Sequence, residues 1–156
     1  MAGIGNIFLG DDGFGPEVIR RVPQRLADPY VVLTDYGIRG MHLAYDLLNG
    51  WNALVLVDAV PDRGSPGALH VFEVGNETLP SGTVLDAHAM DPAAVFASLR
   101  ALGGTPPYAV VVGCEAVTVE EGIGLSDTVA ASVPLAVAAV EDVVAELLVR
   151  VPIGEG

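Results

Sequence analysis

The sequence predicts an α/β fold with three layers, in which a mostly parallel, twisted sheet with one edge strand lies between two layers of helices. Short β-branched runs alternate with Ala-rich or amphipathic segments, as in chains that build such sheets. Two runs, "ALVLVDAV" and "YAVVVGC", are apolar almost throughout, which is typical of strands covered on both faces. The 156 residues suffice for one domain with a good core. We therefore expect a single domain over residues 1–150 and a frayed tail over 151–156.

The N-terminal third predicts two strands, each followed by a helix. Only residues 1–4 precede the first loop, so we expect an unusually short inner strand that further apolar residues before Met1 would lengthen. Pro16 favours a helix over 16–26, because proline is well tolerated in the first helical turn. The run "YVVLTD" predicts a second strand over 30–35, and the helix over 41–48 ends at "NG".

The remainder of the chain predicts three more strands. Residues 53–60 and 108–114 are the two buried runs, and Asp58 is the one polar residue of the first. Residues 68–74 follow the turn-rich "PDRGSPG" and predict a short strand at or near an edge of the sheet.

Two helices complete the prediction. Asp91 is a suitable N-cap for a helix over 91–102, with Pro92 in its first turn. A long helix over 126–149 is expected to be kinked or broken near Pro134, because proline lacks the amide hydrogen that a helix interior requires.

Composition limits the classes of partner. The formal net charge of −13 would repel a phosphate backbone, so we expect no nucleic acid partner. No apolar run is long enough to span a bilayer and no signal peptide is recognisable, which favours a cytoplasmic protein with no membrane association. The single cysteine, Cys114, fits a reducing compartment, and we expect its thiol to lie in the core. We expect a monomer.

Polar residues at the carboxyl ends of the strands predict the site, since ligands of open α/β sheets bind there. Asp12 follows the first strand, Asp58 lies near the end of the third, and His88 lies in the loop before the third helix. Two carboxylates and an imidazole form a plausible incomplete ligand set for a borderline cation such as Ni²⁺ or Zn²⁺. Asp12 and Asp58 are also the candidate catalytic carboxylates.

Each of these residues has a structural alternative. Asp12 would suit the positive end of a helix, Asp58 would suit a bond to a neighbouring loop, and His88 would suit an exposed loop. Asp11 is expected to face the N–H groups of its own loop or of the helix that begins at Pro16. Motifs for a P-loop, a G-x-S-x-G elbow, an H-E-x-x-H helix and a C-x-x-C pair are absent from the sequence.

The loop after the second strand predicts a substrate-binding element. It contains Asp35, Arg39 and Gly40, and Arg39 is one of only seven basic residues in the chain. We expect Arg39 to contact a carboxylate, either that of a substrate or that of Asp35. A solvated loop arginine is the structural alternative. His42 and His70 are expected to have no functional role.

The order of five segments resembles one protein family. "GIGNIFLGDDGFGPEV", "DYGIRGMHLAYDLL", "ALVLVDAV", "DAHAMD" and "GCE…EEGIGLS" are similar to the corresponding segments of the [NiFe]-hydrogenase maturation proteases. The resemblance implies a phosphorylase/hydrolase-like fold and an endopeptidase that removes a C-terminal extension from the hydrogenase large-subunit precursor. It also implies that the enzyme recognises nickel carried by that precursor, with Asp12, Asp58 and His88 at the metal-binding positions.

The chain departs from the family at two of these segments. Many members have Glu where this chain has Asp12, and "DYGIRG" brings Arg39 into a turn that is usually glycine-rich. A metal that polarises the scissile carbonyl or activates water, and a metal that only anchors the substrate beside a general base, are both compatible with these residues. A non-catalytic binding module that chaperones a precursor is the alternative function.

Overall fold

The computed structural model describes residues 1–22, 30–74 and 92–150, with only the backbone of Arg150. Within these ranges five strands form one sheet: β1 (Ala2–Ile4), β2 (Thr34–Gly37), β3 (Ala53–Val60), β4 (Leu69–Val74) and β5 (Tyr108–Glu115). Their spatial order is β2-β1-β3-β5-β4. Strand β4 lies at one edge and is antiparallel to β5, whereas the other neighbouring strands run parallel. The predicted mostly parallel α/β sheet is therefore confirmed, including the edge position of β4.

Strand β1 is short although it lies inside the sheet. Ala2 pairs with Thr34 of β2 and with Leu56 of β3. Because β1 pairs with its neighbour only from Ala2 onwards, β2 forms over Thr34–Gly37 rather than over the predicted residues 30–35. The apolar run over residues 30–35 therefore predicted the second strand several residues too early in the chain.

In the part of the chain that the structure describes, four α-helices cover the two faces of the sheet: α1 (Phe14–Arg21), α2 (Gly40–Leu47), α3 (Pro92–Ala101) and α4 (Asp127–Arg150). Helices α1 and α4 pack against each other on one face, and α2 and α3 pack against each other on the other. The predicted three layers are confirmed. The described residues do not include residues 23–26 of the first predicted helix or the tail at 151–156.

Strand β3 contributes to both halves of the core. Val55 and Val57 belong to the cluster on the α1–α4 side, whereas Leu54 and Leu56 belong to the cluster on the α2–α3 side. Alternate residues of a strand point to opposite faces, so an uninterrupted apolar run fits a strand with helices on both sides. Full burial of each such side chain contributes about 1.5–3 kcal/mol.

The helix is not broken at Pro134, because α4 is continuous over its 24 residues, Asp127–Arg150; a kink near Pro134, the other predicted possibility, stays a prediction. Pro134 and Ala130 are both on the exposed side of the helix, where water can satisfy the carbonyl that loses its donor. Ser126 precedes the helix and its hydroxyl accepts a hydrogen bond from the N–H of Val129, as an N-cap does. Within the described ranges, no helix has the length and apolarity needed to cross a bilayer.

Candidate active site

Asp12 lies in a 3-10 turn, Gly10–Gly13, that connects β1 to α1. Its side chain is only 2% exposed, and Oδ2 accepts a hydrogen bond from the N–H of Asn6 at 2.8 Å. The backbone of the turn packs against Gly5, where a Cβ atom would stand 1.8 Å from the carbonyl oxygen of Asp12. Gly5 also has φ +148, which disfavours any other residue. A glycine at position 5 therefore allows Asp12 to lie against the end of the sheet.

Asp58 lies near the carboxyl end of β3, the central strand. It is 4% exposed, and its Oδ1 atom is shielded from solvent. Its register partner on β5 is Gly113, where a Cβ atom would stand 2.8 Å from the side chain of Val60. Burial of a carboxylate is costly unless hydrogen-bond donors or a cation stabilise the charge. Asp58 is therefore a buried carboxylate at the edge where the parallel strands end.

Helix α1 packs closely enough on the sheet to bring the two carboxylates to the same edge. A Cβ atom on Gly15 would lie 2.3 Å from the carbonyl oxygen of Val57 and 2.4 Å from that of Ile4. Val57 immediately precedes Asp58, and the 3-10 turn that carries Asp12 contacts β3. A glycine at position 15 thus sets the height of the Asp12 turn over the end of β3.

The third predicted metal ligand, His88, lies outside the described residues, as do Asp86 and Asp91. Over residues 1–22, 30–74 and 92–150, no group of three or more His, Cys, Asp or Glu side chains is arranged to hold a metal ion. The complete set of Asp12, Asp58 and His88 stays a prediction.

Asp11 has a different role from its neighbour, and the expectation for its contacts is wrong. The side chain is fully buried, and its carboxylate bonds neither its own loop nor α1 but the distant segment that leads into α4. Oδ2 accepts hydrogen bonds from the N–H groups of Val117 and Thr118 and from the hydroxyl of Ser126, at 2.9, 3.1 and 2.9 Å. Oδ1 accepts one from the N–H of Ser126 at 2.7 Å. Asp11 therefore fastens the segment 117–126 to the turn that carries Asp12.

The loop after β2 has its predicted polar residues at the same end of the sheet. Asp35 and Arg39 are exposed, whereas Gly40 is buried at the start of α2. The guanidinium of Arg39 donates to the carbonyl oxygens of Tyr36 at 3.2 Å and Asp35 at 3.0 Å. The carboxylate of Asp35 accepts a hydrogen bond from the N–H of Gly37 at 2.9 Å. Arg39 is thus an exposed cation whose direction is fixed by the backbone of β2.

Sequence reasoning missed a pair formed by Glu115 and His70. Glu115 ends β5 and is buried, and its Oε2 lies 2.6 Å from Nε2 of His70. Its Oε1 accepts hydrogen bonds from the N–H groups of Arg63 and Ser65, at 2.6 and 3.2 Å. The contact with His70, and then those backbone donors, hold the pKa of Glu115 below its ordinary value of 4.5. Through these contacts the pair holds the loop that follows β3. The sequence feature that could have indicated the pair is a carboxylate at the end of β5.

Cys114 is a core residue. Its thiol is 0% exposed within the cluster on the α1–α4 side, and burial raises its pKa to about 11. A thiol with that pKa is protonated at neutral pH and is a poor nucleophile.

The fold and the site together define the class of protein: an α/β protein with two buried carboxylates, Asp12 and Asp58, at the carboxyl edge of its sheet. Comparison with known proteins narrows the class. The model of the hydrogenase maturation protease family matches residues 16–143, a stretch that includes Asp58 and His88. The chain therefore belongs to the hydrogenase maturation protease family, whose members are hydrolases of peptide bonds.

Individual relatives agree with this assignment. The chain is 32% identical over 137 residues to the hydrogenase 2 maturation protease of Escherichia coli, covering 85% of this chain and 82% of that protein. It is also 32% identical over 152 residues to the coenzyme F420 hydrogenase subunit delta of Methanothermobacter thermautotrophicus, covering 91% of each.

Solved structures show the same fold. An endopeptidase from Escherichia coli superposes with a TM-score of 0.77 at 31% identity, covering 96% of this chain and 92% of that one. The hydrogenase-maturating endopeptidase HybD from E. coli superposes with a TM-score of 0.74 at 27% identity, covering 93% and 90%. The activity class is therefore that of an endopeptidase, and the alternative of a non-catalytic module is disfavoured.

Proposed function

We propose that the chain cleaves the precursor of a [NiFe]-hydrogenase large subunit and releases a short C-terminal extension after nickel has been inserted. One observation carries this proposal: Asp12 and Asp58 are both almost fully buried at one edge of the sheet, in a chain of the maturation protease family. Charges that are costly to bury are retained where chemistry requires them.

The carboxylate pair supplies the acid–base chemistry of the cleavage. Asp12 or Asp58 takes a proton from a water molecule as the water oxygen attacks the scissile carbonyl carbon. The C–N bond then breaks, and the proton passes to the leaving nitrogen. The products are a new C-terminal carboxylic acid and a free amine, and transfer of the acid proton to the amine then gives a carboxylate and an ammonium group. The hydrogen bond from Asn6 to Asp12 supports this role, because it fixes the direction in which that carboxylate points.

Nickel enters this proposal as part of the substrate. Asp12, Asp58 and His88 would bind nickel that the precursor already holds, because carboxylate and imidazole ligands suit a borderline divalent cation. A cation arriving from the substrate would also offset the cost of burying the two carboxylates. Asp35, Arg39 and Gly40 would meet the polypeptide around the scissile bond, with the exposed guanidinium of Arg39 available to a substrate carboxylate.

We further propose that the chain acts in the cytoplasm as a monomer. The support for the cytoplasm is the single cysteine, Cys114, which is buried and fits a reducing compartment; sedimentation of the purified chain tests the monomer.

Incubation with purified precursor tests the function directly. The wild-type chain is mixed with nickel-loaded or nickel-free precursor, and the mass of the precursor is followed. We expect loss of a C-terminal fragment from the nickel-loaded form only. Asp58→Asn, which keeps the side-chain shape and removes the charge, should abolish the loss. Asp127→Asn is the matched control, since Asp127 is an exposed aspartate in the first turn of α4.

The binding mode has its own test. His88→Ala should weaken binding to the nickel-loaded precursor far more than binding to the nickel-free precursor. An enzyme purified with stoichiometric, tightly held zinc that cuts nickel-free precursor at full rate would contradict the proposal. Wild-type processing by Asp58→Asn would remove Asp58 from the site.

A further inference from the structure

A cavity of about 590 Å³ lies where the parallel strands begin, at the opposite end of the sheet from the candidate catalytic carboxylates. It is here called the strand slot. Residues 30–32, which precede β2, line one side of it, and residues 52–55, where β3 begins, line the other side. Met1 and Ala2 line its inner end. The strand slot therefore lies within the sheet, on the line along which β1 would continue toward its amino terminus.

The register of β1 places such a continuation inside the strand slot. Strand β1 pairs in parallel with both β2 and β3 from Ala2 onwards. In a parallel ladder, each earlier residue pairs with the residue one place earlier on both neighbours. Three residues before Met1 would therefore face residues 30–32 on one side and residues 52–54 on the other, and these are the residues that line the slot. Three extended residues span about 10 Å.

The main chain of Met1 already follows the hydrogen-bond pattern of that ladder. Its terminal amino group donates to the carbonyl oxygen of Val32 at 2.6 Å, and its carbonyl oxygen accepts a hydrogen bond from the N–H of Thr34 at 3.0 Å. Burial lowers the pKa of the Met1 α-amino group from 8.0 to about 6, because a desolvated ammonium is disfavoured. A peptide N–H would make the same hydrogen bond to Val32 without a charge. The strand slot thus suits a peptide bond at the nitrogen of Met1 better than a charged terminus.

Both faces of the strand slot are apolar. Val144 and Leu147 of α4 line one face, and Leu43 and Leu47 of α2 line the other. Successive residues of a strand point to opposite faces, so each residue of a continued β1 would place its side chain against one of these helices. An uninterrupted apolar run is typical of a parallel strand that is covered on both faces. The occupant that fits the slot is therefore an extended segment with apolar side chains.

We propose that the strand slot holds an apolar segment of about three residues, joined to the nitrogen of Met1, which extends β1 in parallel pairing with both of its neighbours. The occupant is part of this chain and not a second copy or a separate peptide. Only a covalently joined segment continues the ladder from Met1 and replaces its ammonium by an amide. This inference is independent of the proposed function, because the slot lies at the opposite end of the sheet from Asp12 and Asp58.

Thermal unfolding of extended chains tests the proposal. Three valines inserted between an initiator methionine and Met1 should raise the melting temperature by roughly 5 °C, because they bury apolar side chains and add ladder hydrogen bonds. Ser-Gly-Ser inserted at the same place is the matched control, since it has the same length and no apolar side chain. It should change the melting temperature by less than about 2 °C.

Amide hydrogen exchange reports the pairing itself. Continuing the ladder would make the N–H of Val32 donate to the carbonyl oxygen of the residue two places before Met1. Exchange at Val32 should therefore slow roughly tenfold in the valine-extended chain relative to the chain that begins at Met1. The amide of Ile123 is the internal control, because this residue is 81% exposed in the loop after β5, and its exchange should stay unchanged.

Three results would overturn the proposal. The first is an equal melting temperature for the valine and Ser-Gly-Ser chains, or unchanged exchange at Val32 in the valine chain. The second is a protein isolated from its own cells whose amino-terminal peptide, identified by its mass, begins at Met1, since we expect residues before it. The third is a dimer of the chain that begins at Met1 in which Val32 becomes protected, because the slot would then hold a second copy.

Discussion

Replacement of Asp11 by asparagine removes a charge from a fully buried position and keeps the shape of the side chain. The carboxylate accepts four hydrogen bonds, three at Oδ2 and one at Oδ1. An amide has a single oxygen. In the more favourable orientation of the asparagine amide, this oxygen takes the place of Oδ2. The NH₂ group then faces the N–H of Ser126, so two hydrogen-bond donors point at each other.

The size of the effect follows from these contacts. One buried donor left unsatisfied costs about 1–3 kcal/mol. The three remaining hydrogen bonds become neutral ones, and each loses on the order of 1 kcal/mol of charge assistance. Asparagine is cheaper to bury than a carboxylate, which offsets part of that loss. We expect Asp11→Asn to lower the free energy of unfolding by about 3 kcal/mol, a large share of the roughly 5–15 kcal/mol of an ordinary domain.

Equilibrium unfolding in urea measures this change, with an unchanged m-value as the sign that only stability differs. Asp127→Asn is the control, because it also removes a negative charge beside the start of α4, but from an exposed side chain. Asp127→Asn should lower the free energy of unfolding by no more than about 1 kcal/mol, the size of a helix-dipole interaction. If the free energies of unfolding of the two variants differ by less than about 1 kcal/mol, the hydrogen bonds of Asp11 are not what holds the segment 117–126 to the turn that carries Asp12.

Three further predictions concern packing and titration. Gly15→Ala should destabilise the fold strongly in thermal unfolding, because its Cβ atom would stand 2.3 Å from the carbonyl oxygen of Val57; wild-type stability would refute that packing. Cys114 should react with iodoacetamide at pH 8 only after denaturation, since burial raises its pKa to about 11, and rapid labelling of the native chain would contradict this. The pKa of Glu115 is held below 4.5 by His70, so its stabilising contribution is complete above that pH and is lost as the pH falls through the folded-state pKa. Glu115→Gln should therefore flatten the loss of stability below pH 4.5, and an unaltered acid profile would exclude this role.

The sequence predicted those parts of the fold that depend on local patterns. The buried run at Ala53–Val60 has the predicted bounds, because an uninterrupted apolar stretch admits few other placements in a chain of this length. Strand β2 was misplaced because its bounds are set by the length of its partner β1, not by its own composition. Of the predicted kink or break in α4, the break is excluded because Pro134 lies on the exposed side of the helix, which the proline alone does not reveal.

The site was predictable only where its residues follow strands. Asp12 and Asp58 were predicted as site residues because carboxyl ends of parallel strands meet at one edge, and the structure places both buried there. The contacts of Asp11 were not predicted, because its partners are 106 to 115 residues away and are mostly backbone N–H groups, which have no sequence signature. The pair of Glu115 and His70 was missed for a related reason, since it joins residues 45 apart on two antiparallel strands.

Two adjacent aspartates in one tight turn now have a physical explanation. Like charges at neighbouring positions repel, and burial of both increases that cost. The turn directs them to different surroundings: Asp11 toward four donors of the segment 117–126, and Asp12 toward the N–H of Asn6 and the end of β3. The charge of Asp11 is thus satisfied within the fold, and its bonds fix the turn in which Asp12 lies. That division of roles places the carboxylate of Asp12 at the edge of the sheet, while the stability of the turn depends on its neighbour.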